Sequence, residues 1–481
     1  MNLKIFNITS WLLALLLLAS CKKWTDIKPS IEVRGELIFS NETTVQEALN
    51  GVYGRMTQTA GYGRNLTWGF VDIMGGLYNT ARLQSFEADA AAGKFGNSSA
   101  ESIIEQLWNN TYTAIANDNN LISNIDKADA AIFSGNNKNL IKGEALGLRA
   151  MLHFDLLRLF GPAVNSSGWN QPMLPYVTLY SSNVTTRSTG PDFLAKLQAD
   201  LSQAEELLKE DKIRTSAVAD ELRARKVRFN YYAVKALQAR VYLWAGDKVK
   251  AQEAAMVVIN AAPSKFQWTG ASGISSLGTF YDYILSSENI FSLYVNNLKD
   301  FIAGKLVNIS TTGTVTQDLQ PHYGITEAIR QEMYESGSVG VTDYRSIYMI
   351  GTETKGANTT VLYKKLHQSG GLTSSGEQKP FGYAENRIPM MKVAEMFYIA
   401  AECLADTDPA QAVSLLNTVR TNRGISSPLA ASLNATQIHP EIRKEYRKEF
   451  PCEGQFFYYR KRRGEVNYIL PVPKRELEYG L

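Results

Sequence analysis

Six residues carry the chemistry of a flat, half-polar ligand. Trp68, Tyr78 and Asn79 fall in one glycine-rich stretch, Gly61 to Gly96, and Trp268, Tyr281 and Tyr283 lie early in a second irregular stretch, Pro263 to Glu385. A sugar ring has a C–H face and a polar rim, so aromatic rings beside an amide meet both of its needs. The same rings would serve equally well as local core for two long loops, and for any single ring the two uses stay open. Nothing beside them breaks bonds by a recognisable motif. The chain has no Gly-x-Ser-x-Gly elbow, no HExxH, no phosphate loop and no dinucleotide fingerprint. A glycosidase's carboxylate pair is defined in space rather than in sequence, so its absence cannot be proved this way. Four histidines and three cysteines are scattered singly, without zinc spacing, so neither a metal nor a cofactor is expected.

The elements that must position these stretches are helical. In Phe229 to Asn260, Ala233, Leu237, Val241 and Trp244 recur on one face of a helix. Ala233, Ala236 and Ala239 let a neighbour approach closely. Gly246 suits the left-handed position after a helix and Asp247 can cap the next one, in which Ala251, Ala254, Ala255, Val258 and Ile259 face back. Such a tetratricopeptide-like hairpin cannot bury its face alone and implies neighbours. Helical spacing supplies them at 43–57, 103–125, 141–160, 193–208 and 391–404. A further helix opens at Asp408-Pro409, and a last one begins near Ile438. Helix pairs thus occupy both ends of the chain. Gly61 to Gly96 reads as a long, partly ordered excursion, and Pro263 to Glu385 as a loop-rich region with short helical or extended pieces such as Asn289 to Val295.

Across 481 residues with 44% hydrophobic content there is material for a large core, and a net charge of +3 points to no bulk electrostatic partner such as nucleic acid. Lys4 followed by the apolar run Trp11 to Ala19 reads as a targeting segment too short to span a bilayer. Leu18-Ala19-Ser20-Cys21 resembles a bacterial lipobox, which implies cleavage before Cys21 and lipid on that cysteine. Residues 1–20 are then a signal peptide, 21–40 a polar tether, and 41–481 the folded part. Cys403 and Cys452 lie in amphipathic helical patterns and are expected as buried free thiols.

Several segments, in order, resemble the SusD/RagB family of outer-membrane nutrient-binding lipoproteins. They are Leu148 to Gly161, the hairpin above, Ser287 to Phe291, Asn386 to Ala405, Leu415 to Gly424, Ile442 to Arg462, and Pro471 to Glu476. One departure is that Phe456 and Tyr458 stand where the commoner family form has Arg and Asp. The resemblance implies a mostly α fold with about four tetratricopeptide-like hairpins and a loop-rich, aromatic-bearing ligand region. It implies a glycan or its oligosaccharides as ligand, held between the two irregular stretches. It also implies a TonB-dependent SusC-like transporter as partner, a non-catalytic role, and lipid anchoring in the outer membrane with exposure at the cell surface. Two other readings are a lipoprotein of the same system that takes peptide or another nutrient, and a tetratricopeptide-type protein adaptor.

Other chemistry-bearing residues have plainer roles. Asp72, Asp343 and Arg345 are expected to be structural, the last two as a pair. The run Arg443 to Glu449 mixes signs and reads as a solvated face or as intramolecular pairs, not a basic patch. His153, on a strongly amphipathic helix, is expected to be packed or half-exposed.

Overall fold

The computed structural model describes residues 38–164, 166–274, 282–306, 322–355, 358–367 and 385–478. Helix α1 (Glu42–Met56) starts where the Asn41 side chain accepts the Thr44 N–H, and it buries Val45, Leu49, Val52 and Met56 at helical spacing. After it come two short helices, α2 (Phe70–Gly75) and α3 (Ser85–Ala91), and then the long α4 (Ser98–Ile125). Helix α5 (Asn137–Phe160) is buried on nearly every side from Gly143 onward. It packs on α4 and on α6 (Gly190–Leu207), which begins at Thr189 with Pro191 in its first turn.

The central hairpin is α7 (Tyr231–Ala245) and α8 (Lys248–Lys265), closed by Gly246 at φ 85° and by Asp247, whose side chain accepts the Lys250 N–H. Ala233, Leu237, Val241 and Trp244 are buried, as their spacing predicted, and so are Ala251, Ala255 and Val258 opposite. In the loop-rich region come β1 (Asn289–Tyr294), α9 (Glu327–Tyr334), α10 (Tyr344–Tyr348), β2 (Ile350–Lys355), β3 (Asn358–Tyr363) and β4 (Arg387–Lys392). Helices α11 (Val393–Leu404), α12 (Pro409–Asn422), α13 (Ala435–Glu449) and α14 (Gln455–Arg462) complete the frame. Helix α8 packs on α11, and α11 on α12 and α13, so one core runs through the hairpins from α1 to α14. The fold is mostly α, built of tetratricopeptide-like hairpins.

Asn289 to Tyr294 takes the extended form of the two expected for it, a strand paired antiparallel with β4 through Leu293 opposite Ile388. Two readings of the sequence change. The helix expected from Met391 starts at Val393. Met390 and Met391 lie in a fully apolar run, where periodicity cannot tell strand from helix. Gly61 to Gly96, expected as a partly ordered excursion, is packed inward over its first part, where Tyr62, Leu66, Trp68, Phe70, Val71, Ile73 and Met74 are all core. Among the described residues no helix is long and apolar enough to cross a membrane.

Candidate functional site

The structure does not gather the five described residues of the predicted six on one surface. Trp68 is fully buried: its Nε1 donates to the Gly63 carbonyl at 2.8 Å and its ring meets Tyr323 edge-on at 6.1 Å. Tyr78 is buried too, donating from its hydroxyl to the Trp68 carbonyl at 2.6 Å and stacking on Tyr323 at 4.9 Å. Neither ring has a free face for a ligand. The expectation that Trp68 and Tyr78 are stacking platforms is corrected accordingly. The cause is local: Gly63 folds so tightly that a Cβ there would sit 2.2 Å from the Thr57 carbonyl, which draws the segment inward. Asn79 is spent on capping, since its Oδ1 accepts the Ala81 N–H at 3.2 Å. Trp268 is half-buried against Phe397, with the Arg423 guanidinium 5.3 Å from its ring. Tyr281 and Cys21 lie outside the described residues.

The two irregular stretches nevertheless meet. The Asn79 N–H donates to the Gly324 carbonyl at 2.8 Å, the Tyr363 hydroxyl to the Leu77 carbonyl at 3.1 Å, and the Tyr323 hydroxyl to Glu87 at 2.6 Å. Arg82 also reaches the Thr360 hydroxyl. The contact is made by the middle of the second stretch, 323–325 and 360–363, not by its start at Trp268.

Next to this seam lies an open pocket of about 580 Å³. Glu327 and Arg330 of α9, Ser346 and Ile347 of α10, and Lys364 and His367 beyond β3 line it, together with the β2–β3 hairpin. Arg330 is fixed by donating from Nε to Glu327 at 2.8 Å and from Nη1 to the Ser346 hydroxyl at 2.9 Å. Ile347, 48% exposed, gives an apolar wall. The stem of Lys364 crosses Gly351 and its ammonium stands 5.3 Å from the Tyr283 ring. Tyr283 is therefore the predicted residue that borders the pocket, although its own ring is buried with Ile274, Leu285 and Met349. Burial lowers the Lys364 pKa. Burial also takes His367 down to about 4, outweighing a hydrogen bond at the Leu306 backbone that raises it, so the imidazole is neutral at neutral pH. Its Nε2 is buried without a partner among the described residues. Fixed donors, a neutral imidazole and one apolar wall suit a ligand rich in hydroxyls. Among the described lining residues the carboxylate is Glu327, which Arg330 holds. Sequence reasoning missed these residues because they are scattered over 327–367 and no motif joins them.

A buried charge network sets the pocket against the helices. Arg345, just before Ser346, donates to Asp343 at 2.8 Å, Glu445 at 2.9 Å and Glu449 at 3.1 Å. Glu449 also takes Arg423 at 2.9 Å and Lys392 at 2.7 Å, and Arg423 holds Glu288 at 2.6 Å. The mixed run in α13 is thus intramolecular pairing, with Glu445, Lys448 and Glu449 inside the core. Asp72 is structural, accepting the N–H groups of Cys452 at 2.6 Å and Gly454 at 2.8 Å. His153 is packed: it stacks on Tyr176 at 3.9 Å and its Nε2 accepts the Val177 N–H at 2.9 Å. Cys403 and Cys452 are buried and free.

Two family models match the chain. One, described as "Starch-binding associating with outer membrane", covers residues 23–243, and one described as "SusD family" covers residues 295–477. A SusD-like protein P2 of Formosa agariphila is 24% identical over 95% of this chain and 90% of its own. A SusD superfamily protein of Bacteroides thetaiotaomicron shares the fold with a TM-score of 0.68, at 22% identity over 90% of this chain and 97% of the other. A SusD-like carbohydrate binding protein of Bacteroides vulgatus does so with a TM-score of 0.66, at 20% identity over 88% and 84%.

Proposed function

Since the chain belongs to the SusD/RagB family, we propose that it captures glycans or their oligosaccharides at the cell surface, without turnover, and passes them to a TonB-dependent SusC-like transporter. Residues 1–20 act as signal peptide, Cys21 carries the lipid anchor in the outer membrane, and 21–40 form the tether to the folded part, 41–481. The observation that carries the ligand reading is the open pocket of about 580 Å³ in the loop-rich region, with its fixed donors and apolar wall. Glycan hydroxyls would take hydrogen bonds from Lys364 and Arg330, a C–H face would rest on Ile347, and Tyr283 backs the pocket through Lys364. A family description that speaks of starch binding supports a carbohydrate over a peptide.

Calorimetry with maltooligosaccharides and a panel of other oligosaccharides tests this, comparing wild type with Lys364→Ala and Ile347→Ala. A lost hydrogen bond from a charged donor is worth ~1.5–3 kcal/mol, so Lys364→Ala should weaken binding at least tenfold. Ile347→Ala, which removes part of one apolar wall, should do less. Unchanged affinity in both variants, each with an unaltered melting curve, removes the site from the pocket. Binding of peptides and of no glycan by wild type would make the nutrient a peptide.

A further inference from the structure

Far from that pocket in sequence, α5, α7, α11, α13 and α14 line a small, partly open cavity of about 30 Å³. A volume of ~10–15 Å³ on this measure already admits one water molecule. Three of its lining groups are buried donors with no partner among the described residues: the Arg158 Nε–H, the Trp244 indole N–H and the Tyr458 hydroxyl. Their residues are 4%, 5% and 3% exposed. Arg158 and Trp244 can only donate at these atoms, and burial raises the Tyr458 pKa so that its proton stays on. Orphaned buried donors are costly in any fold, and three around one cavity point to an occupant that accepts.

The charges around the cavity say which kind. Arg158, Arg240 and Arg462 line it, against one carboxylate, Glu395. Glu395 is held by Arg240 at 2.6 Å. The carboxylates that balance the other two guanidinium groups, Asp155 on Arg158 and Glu402 on Arg462, stand behind them and do not line the cavity. Seen from inside, the wall is positive. One water molecule could serve all three, accepting from Arg158 and Trp244 and donating to the Tyr458 oxygen, but three guanidinium groups against one carboxylate in the lining favour an anion over water. We propose that this cavity is a binding site for a chloride-sized monovalent anion, held by Arg158, Trp244 and Tyr458 where α5, α7 and α14 meet. The site depends on Tyr458, with the Arg158 guanidinium 3.6 Å from its ring, at one of the two positions where this chain departs from the commoner family form. The anion would tie helices together at the back of the hairpins and so act on stability, not on capture of nutrient.

The test uses the purified protein in gluconate buffer, titrated with sodium chloride at fixed ionic strength while the melting temperature is followed. Because an occupant that binds only the folded state stabilises it by mass action, the melting temperature should rise with chloride and saturate. Crystals grown or soaked with bromide should give one anomalous peak inside the cavity. Trp244→Phe and Tyr458→Phe each keep the ring and remove one donor, and each should shrink the chloride-dependent shift severalfold. A melting temperature indifferent to chloride overturns the proposal, as does a cavity without anomalous signal, which would leave water as its occupant. A bromide peak without any thermal shift counts as binding at crystal concentration only, and also overturns it. Should either variant fail to fold, the wild-type titration and the bromide map decide between them.

Discussion

Replacing Glu449 by Gln should unfasten the loop-rich region from the helical frame. The carboxylate accepts hydrogen bonds from Arg345 at 3.1 Å, from Arg423 Nε and Nη2, both at 2.9 Å, and from Lys392 at 2.7 Å. Burial alone would raise its pKa, but Arg423, Lys392 and Arg345 hold it well below the usual carboxylate range. Glutamine keeps the shape, removes the charge, and turns one acceptor into a donor facing cations that are at most 2% exposed at the side chain. Removing one partner from a buried ionic cluster costs ~3–5 kcal/mol. Here Arg423 keeps Glu288, Arg345 keeps Asp343 and Glu445, and Lys392 keeps only Glu453 at 3.6 Å, so the lower end, about 3 kcal/mol, is expected. Urea unfolding measures it as a shift in midpoint at constant slope. Since Arg345 precedes Ser346 and Ile347 in α10, glycan affinity measured below the melting range should fall as well. A stability change under ~1 kcal/mol, the scale of an exposed pair, would refute the claim that this cluster fastens the two regions.

Leu237 is fully buried between the helices of the central hairpin, so Leu237→Ala should cost ~2–5 kcal/mol of stability and leave ligand affinity nearly unchanged. Glu445, raised by burial but lowered further by Arg345, Lys448 and Arg420, sits at about 2 when folded, below its unfolded value of about 4.3. Its contribution is therefore complete above the unfolded pKa and is lost as pH falls toward 2. Stability measured from pH 5 downward should decline less steeply in Glu445→Gln than in wild type. Cys21→Ala should release the protein from the membrane fraction; retention after a salt wash would place the anchor elsewhere.

The helical frame was legible because its signal is periodic. Ala233, Leu237, Val241 and Trp244 repeat on one face, and Gly246-Asp247 marks the turn, so both helices of the hairpin stand where the spacing put them. Strand β4 was not legible, for the apolar run Ile388 to Met391 has no alternation at a strand's period and is separated from the apolar α11 by Lys392 alone. The aromatics misled for a related reason. A tryptophan among glycines looks exposed when glycine is taken to mean a loose loop, but Gly61 and Gly63 instead permit a close-packed turn that buries Trp68. Lys364 and His367 carry no local signal at all. Their place at the pocket is set by the β2–β3 hairpin together with Ile325 bridging Val361, a contact 36 residues apart that no short window of sequence contains.

A crystal structure of the protein with a bound oligosaccharide, chosen as the tightest binder in the calorimetric panel, tests the proposed glycan capture most directly. Sugar density in the pocket between α9, α10 and the β2–β3 hairpin is predicted, with hydroxyls within hydrogen-bond distance of Lys364 or Arg330 and one ring face on Ile347. Sugar bound elsewhere, with this pocket empty at saturating ligand, would contradict it.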